Sequence, residues 1–123
     1  MTNPNIQTLR RLYDRFNAKD IDAILPMLAE DVAWANGMDG GHVEGHAGIR
    51  DYWLRQWSVV DPHVDPLRFE ETEPDSVLVE VRQTIRDLTG NPVQEKGLKD
   101  KLVGHLFRFE AGRVTRFDIR ELA

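Results

Sequence analysis

Residues 11–36, RLYDRFNAKDIDAILPMLAEDVAWAN, read as helix, break, short helix and strand. Leu9, Leu12, Tyr13 and Phe16 recur at the spacing that brings side chains to one face of a helix. Asn17 and the polar pair Lys19-Asp20 interrupt that helix. Asp20 then stands in N-cap position for a second one, whose apolar positions are Ile21, Ile24, Leu25 and Leu28. Val32, Trp34 and Asn36 alternate as the inward side of a strand does.

Downstream, residues 37–48 (GMDGGHVEGHAG) hold five glycines in twelve positions, the mark of a sharply turning connection. The segment IRDYWLRQWSVV (49–60) predicts a third helix, with Ile49, Tyr52-Trp53, Gln56-Trp57 and Val60 on one side. Pro62 stops it, and Pro66 keeps the next segment extended. In SVLVEVRQTIRDL (76–88), Val77, Val79, Val81, Gln83 and Ile85 share one strand face, and Leu78, Glu80, Arg82, Thr84 and Arg86 the other. A turn at Gly90-Asn91-Pro92 leads to a polar strand around 93–95. The remainder reads as a hairpin turning at Glu110-Ala111-Gly112. Val103, His105, Phe107 and Phe109 face together on its first strand, and Phe117 and Ile119 oppose Arg116, Asp118 and Arg120 on its second. Helices followed by an antiparallel meander make an α+β arrangement, in which the helices cover the apolar sheet face.

The bulk properties exclude several classes. A chain of 123 residues is one domain, large enough to bury a core. With no cysteine there is no disulfide, thiolate nucleophile or Cys-ligated metal. A net charge of −5 and scattered basic residues argue against nucleic acid as partner. No apolar run approaches the ~18 residues of a membrane span, and residues 1–11 lack a secretory pattern, so a cytoplasmic location is expected. No glycine-rich phosphate loop between strand and helix is present, so no cofactor is implied. His42 and His46 lie four apart, but the glycines around them argue against a helix there, and no carboxylate cluster joins them. No metal site is expected.

The helix-one end Phe16-Asn17-Ala18, residues 24–28 followed by Ala29-Glu30-Asp31-Val32, the Val43-Glu44-Gly45 turn, the helix start Ala47-Gly48-Ile49 and the terminal HLFRFEAGRVTRFDIR (105–120) together resemble the nuclear transport factor 2-like superfamily. Within it the chain looks most like the SnoaL-like group. The resemblance covers nearly the whole chain, as a single domain over 1–123. It implies a cone-shaped α+β barrel, with three N-terminal helices packed on a curved antiparallel or mixed sheet that encloses a pocket. It also implies a small apolar or ring-shaped organic ligand and a homodimer formed through the outer sheet face, where Arg82, Thr84, Asp118 and Arg120 would lie.

Ketosteroid isomerase, a member of the superfamily, pairs an Asp base with an oxyanion hole of Tyr and protonated Asp. The resemblance sets Asn36 at the base position, Leu12 at the Tyr and His105 at the Asp. An amide takes no proton and leucine donates no hydrogen bond, so isomerisation by that route is not expected. Relatives that hydrolyse epoxides use an inward Asp–Arg–Asp set, for which no counterpart appears here.

The candidate catalytic residues are therefore His105 and Asn36. His105 is either a buried neutral imidazole or a group for acid–base chemistry, such as a cyclase, dehydratase, isomerase or hydrolase reaction. Asn36 either shapes the turn before Gly37 or donates to a ligand oxygen. The candidate ligand-binding set is Tyr13, Trp34, Trp53, Trp57, Gln83, Phe107, Phe117 and, at the mouth, His42. Inward Gln83 needs a partner, be it His105, water or ligand. The alternative to an enzyme is a non-catalytic binder or sensor of a hydrophobic metabolite, which needs only the cavity and its hydrogen bonds.

Overall fold

A computed structural model describes residues 3–37, 39–91 and 101–121. The first helix, α1 (Pro4–Asn17), starts where Asn3 accepts hydrogen bonds from the N–H groups of Asn5 (2.9 Å) and Ile6 (3.3 Å), with Pro4 in the first turn. Its Leu9, Leu12 and Tyr13 are buried, as their spacing predicts. Asp20 caps α2 (Ile21–Ile24) by accepting from the Ala23 N–H at 3.2 Å. The helical run then fails earlier than expected. Pro26 has no N–H to continue the α pattern, so residues Leu25–Met27 tighten into a 3₁₀ turn. Leu28, expected on the helix, instead opens strand β1 (Leu28–Ala35).

The glycine-rich stretch is more structured than its composition suggests. Gly40 and Gly41 take φ values of +83° and +72°, which folds the chain back so that β2 (His42–Glu44) pairs antiparallel with β1. Helix α3 (Gly45–Trp57) starts four residues before the predicted 49, and His46 lies in its first turn. There the His46 Nε2–H donates to the Leu28 carbonyl at 2.9 Å, tying helix to strand. At the other end the Ser58 N–H and hydroxyl bond the carbonyls of Leu54 and Arg55, which ends α3 before Val59 and Val60.

Four longer strands follow: β3 (Asp61–Glu73), β4 (Ser76–Arg86), β5 (Lys101–Glu110) and β6 (Arg113–Glu121). The expected polar strand at 93–95 lies outside the described residues. The six strands form one open sheet in the order β2-β1-β6-β5-β4-β3, parallel only between β1 and β6. The β5–β6 turn has positive φ at both Ala111 (+52°) and Gly112 (+80°), the two-residue type that matches strand twist. A register shift between Arg108 and Phe109 leaves Thr115 as an extra residue, so Val114 and Phe117 both face inward despite their odd spacing. Beyond this bulge Asp118 stays on the outer face.

The inward face carries Val77, Val79 and Val81 of β4, Val103, Phe107 and Phe109 of β5, and Val114 and Phe117 of β6, all buried beneath α1 and α3. Each such side chain contributes about 1.5–3 kcal/mol through burial. A side chain also acts as a strand partner: the Asn17 amide donates to the Val64 carbonyl at 2.8 Å and accepts the Val64 N–H at 2.9 Å. This clamps the end of α1 onto edge strand β3. Among the described residues, no helix is long and apolar enough to cross a membrane. The result is the cone-shaped α+β fold, with its hollow between helices and sheet.

Candidate functional site

The hollow lies where α1 and α3 stand off the sheet. Leu12, Tyr13 and Phe16 reach it from α1, and Tyr52, Trp53 and Gln56 from α3. The sheet supplies Trp34, Gln83, His105, Phe107 and Phe117, with Ile85 and Ile119 also on the lining. About 80 Å³ of this space is open to the centres of water molecules. At roughly 10–15 Å³ of such space per water, several waters fit. The hollow is open on one side.

The walls are mostly aromatic and hold each other in fixed orientations. Trp34 stacks on Phe117 with centroids 4.2 Å apart, and meets Trp53 edge to face at 5.4 Å. His105 sits edge-on to Phe117 at 4.8 Å. Such pairs favour offset or T-shaped geometry because the ring edge is positive and the face negative.

One polar pair stands inside this wall. The Tyr13 hydroxyl and His105 Nδ1 are 2.7 Å apart, and both residues are buried, 3% and 7% exposed. A phenol is the better donor and an imidazole nitrogen the better acceptor, and no other acceptor for Tyr13 occurs among the described residues. The Tyr13 O–H thus donates to Nδ1, which assigns the ring proton to Nε2. Nε2 has no protein partner among the described residues, yet it is not sealed in the core. It is a hydrogen-bond donor available to the cavity.

Burial sets the charge of both groups. Desolvation disfavours the imidazolium and lowers the pKa of His105 from 6.5 to about 3. Desolvation likewise raises the Tyr13 phenol well above its usual value. At neutral pH the pair is uncharged: a donor, and a very weak base.

The structure thus brings His105, Tyr13, Trp34, Trp53, Gln83, Phe107 and Phe117 around one cavity. It does not bring Asn36, Trp57 or His42 there. Asn36 shapes the turn, its side-chain oxygen accepting the Asp39 N–H at 2.8 Å and its backbone bonding Gly40 and Gly41. Trp57 stacks behind Trp53 at 5.8 Å, one layer out, because α3 turns its side chain toward Phe16. His42 is on the outer sheet face, since the β1–β2 pairing sets it beside Ala35 there. It donates to Asp118 at 2.8 Å, and Arg116 donates to the same carboxylate at 2.8 Å. Desolvation pushes the Asp118 carboxyl up, but these two partners outweigh it and the net shift is downward. His42 and His46 lie on different elements, and among the described residues no cluster fit to hold a metal occurs.

Tyr52, Gln56 and Phe16 are lining residues outside the candidate set read from the sequence, and Leu12, which the resemblance sets at the oxyanion tyrosine, lines the cavity as an apolar group. Tyr52 and Gln56 are one turn apart, and their hydroxyl and amide approach at 3.4 Å. Their signal was the apolar face of α3, which carries both.

Comparison with known proteins follows the same line. A nuclear transport factor 2-like protein of unknown function from Burkholderia pseudomallei shares 24% identity, with a TM-score of 0.83 over 98% of this chain and 92% of that one. TerC, whose structure was determined after co-crystallisation with polyporic acid, shares 27% identity, with a TM-score of 0.81 over 98% and 92%. An epoxide hydrolase from M. tuberculosis shares 19% identity, with a TM-score of 0.72 over 94% and 80%. No protein of curated function matches significantly. The SnoaL-like domain profile matches residues 9–117, from within α1 to within β6, so the chain belongs to the SnoaL-like family.

Proposed function

We propose that the cavity binds a small, largely apolar, ring-bearing organic molecule and hydrogen-bonds an oxygen on it through the Nε2–H of His105. The observation that carries this reading is the Tyr13–His105 bond at 2.7 Å inside an aromatic wall. Tyr13 fixes the tautomer and the ring plane, so the donor is held in place before a ligand arrives. Trp34, Trp53 and Phe117 supply flat apolar surface for a ring. That TerC was co-crystallised with a small organic acid supports the choice of ligand class.

Acid–base catalysis by His105 is the weaker reading. An imidazole with a pKa of about 3 is a poor base at neutral pH. Passing the Nε2 proton to a substrate, with Tyr13 refilling Nδ1, would leave a buried phenolate that desolvation opposes. His105 suits polarising a carbonyl as a neutral donor, and we keep Gln83, rather than Asn36, as a second polar group beside it.

The test is tryptophan quenching with polyporic acid and 2-acetonaphthone, followed by crystallography of any complex. Saturable quenching that His105→Phe weakens at least tenfold, with density beside Nε2, is the expected result. Absence of binding by every ring compound tried, with the cavity closed in a crystal structure, would overturn the reading.

We also propose that two copies pair through the outer sheet face. Leu78 and Leu106 lie opposite each other there, and half-exposed Leu102 lies four residues along β5 beyond the Glu80–Gly104 pair, so that the face offers apolar contacts set among charges and no helix covers it. Light scattering at the mass of a single chain, across micromolar concentrations, would rule this out.

A further inference from the structure

Every polar group that the described lining offers a ligand is uncharged. From α1 comes the Tyr13 phenol, from α3 the Tyr52 phenol, the Gln56 amide and the Trp53 indole, from β1 the Trp34 indole, from β4 the Gln83 amide and from β5 the neutral His105 ring; β6 adds only apolar side chains. Three ion pairs lie away from it: Arg116 with Asp118 on the outer face, Arg50 with Asp22 and Arg55 with Asp39 at the surface. Lys101, in register with Gln83 at the end of β5, is exposed and is not part of the lining. A carboxylate moved from water into such a cavity loses its hydration and gains no counter-charge from the described lining, so the charged form is disfavoured there. The same cavity satisfies a neutral carbonyl or hydroxyl oxygen with a single N–H donor.

Resting on the binding reading above, we propose that the occupied cavity carries no net charge, so that an organic acid enters only together with one proton. Two routes supply that proton, and they balance identically. Either the acid binds as its neutral carboxyl form, or its carboxylate binds against an imidazolium whose Nδ1–H then donates to the Tyr13 oxygen. In both, one proton leaves solvent per molecule bound. The ligand class is therefore neutral ketones, esters, phenols and quinones in preference to carboxylates and phosphates. The depressed pKa of His105 agrees, since it makes the second route the costlier one.

The test compares 2-acetonaphthone with 2-naphthoate, which share a ring system and differ in charge. Titration calorimetry from pH 5.5 to 7.5 is run in buffers of different ionisation heat. Naphthoate is read by displacement of 2-acetonaphthone, so that binding to Arg108, Arg116 and Arg120 on the outer face is not counted. For a carboxyl with pKa about 4, the expected naphthoate affinity falls about tenfold per pH unit, with about one proton taken up per molecule. The ketone's affinity stays flat. Displacement by naphthoate with pH-independent affinity and no proton uptake would overturn the proposal while leaving the binding reading intact. Failure of 2-acetonaphthone itself to bind would overturn both.

Discussion

Tyr13 and His105, 92 residues apart in sequence, meet with their rings within 5° of parallel and their polar atoms 2.7 Å apart. Helix α1 and strand β5 are joined at that point by a bond between two buried neutral groups. Removing one partner leaves the other unsatisfied, which is the costly case for a buried polar group. Tyr13→Phe keeps the ring packing and deletes only the hydroxyl. It is expected to cost about 1–3 kcal/mol in urea denaturation. It also frees the imidazole tautomer, so the affinity for a ring ligand falls as well.

The charge state of His105 sets an acid limit on the fold. Its folded pKa of about 3 lies below the unfolded value of 6.5, so the unfolded chain binds the extra proton. The contribution is fully present above pH 6.5 and is lost as pH falls toward 3. The slope approaches about 1.4 kcal/mol per pH unit within that window. His105→Gln is expected to be less stable at pH 7 and to show a shallower loss between pH 6 and 4. Parallel slopes for the two proteins would contradict the assignment.

Asn17 replaces a missing strand neighbour for Val64 by exchanging two hydrogen bonds with its backbone. Asn17→Ala leaves a half-buried N–H and carbonyl without partners and should cost about 2 kcal/mol. Hydrogen exchange at the Val64 amide is the direct readout, with protection lost there before it is lost in β4.

Ala111 holds φ at +52°, a region that costs a side chain with a Cβ about 1–2 kcal/mol. Asparagine tolerates it far better, and Asn-Gly is the preferred pair for this turn. Ala111→Asn is expected to raise stability by about 0.5–1 kcal/mol in thermal or urea unfolding, with no effect on ligand affinity.

Much of this architecture was legible because neighbouring residues report it. The helical spacing from Leu9 to Phe16 and the alternation from Val77 to Ile85 describe faces that the structure buries. What was not legible depends on pairing at a distance. The direction of His42 follows from where Gly40 and Gly41 turn the chain, and that turn also absorbs Asn36. Trp57 shares a helix face with Trp53, yet one turn of α3 carries it past the cavity. The Tyr13–His105 bond needs α1 to lie across β5, which no local pattern encodes. His105 was visible as a polar residue on an apolar strand; its partner was not.

The parallel pairing of β1 with β6 has a consequence for synthesis. Leu28 aligns with Val114 and Trp34 with Phe117, so the first strand made waits for the last. During translation α1, α2, β1 and β2 leave the ribosome with their apolar faces and one strand edge unmatched. The contact that completes the sheet forms only after β6 emerges. Nascent chains halted before residue 113 should therefore engage chaperones and remain open to proteases, and protection should arrive in a single late step.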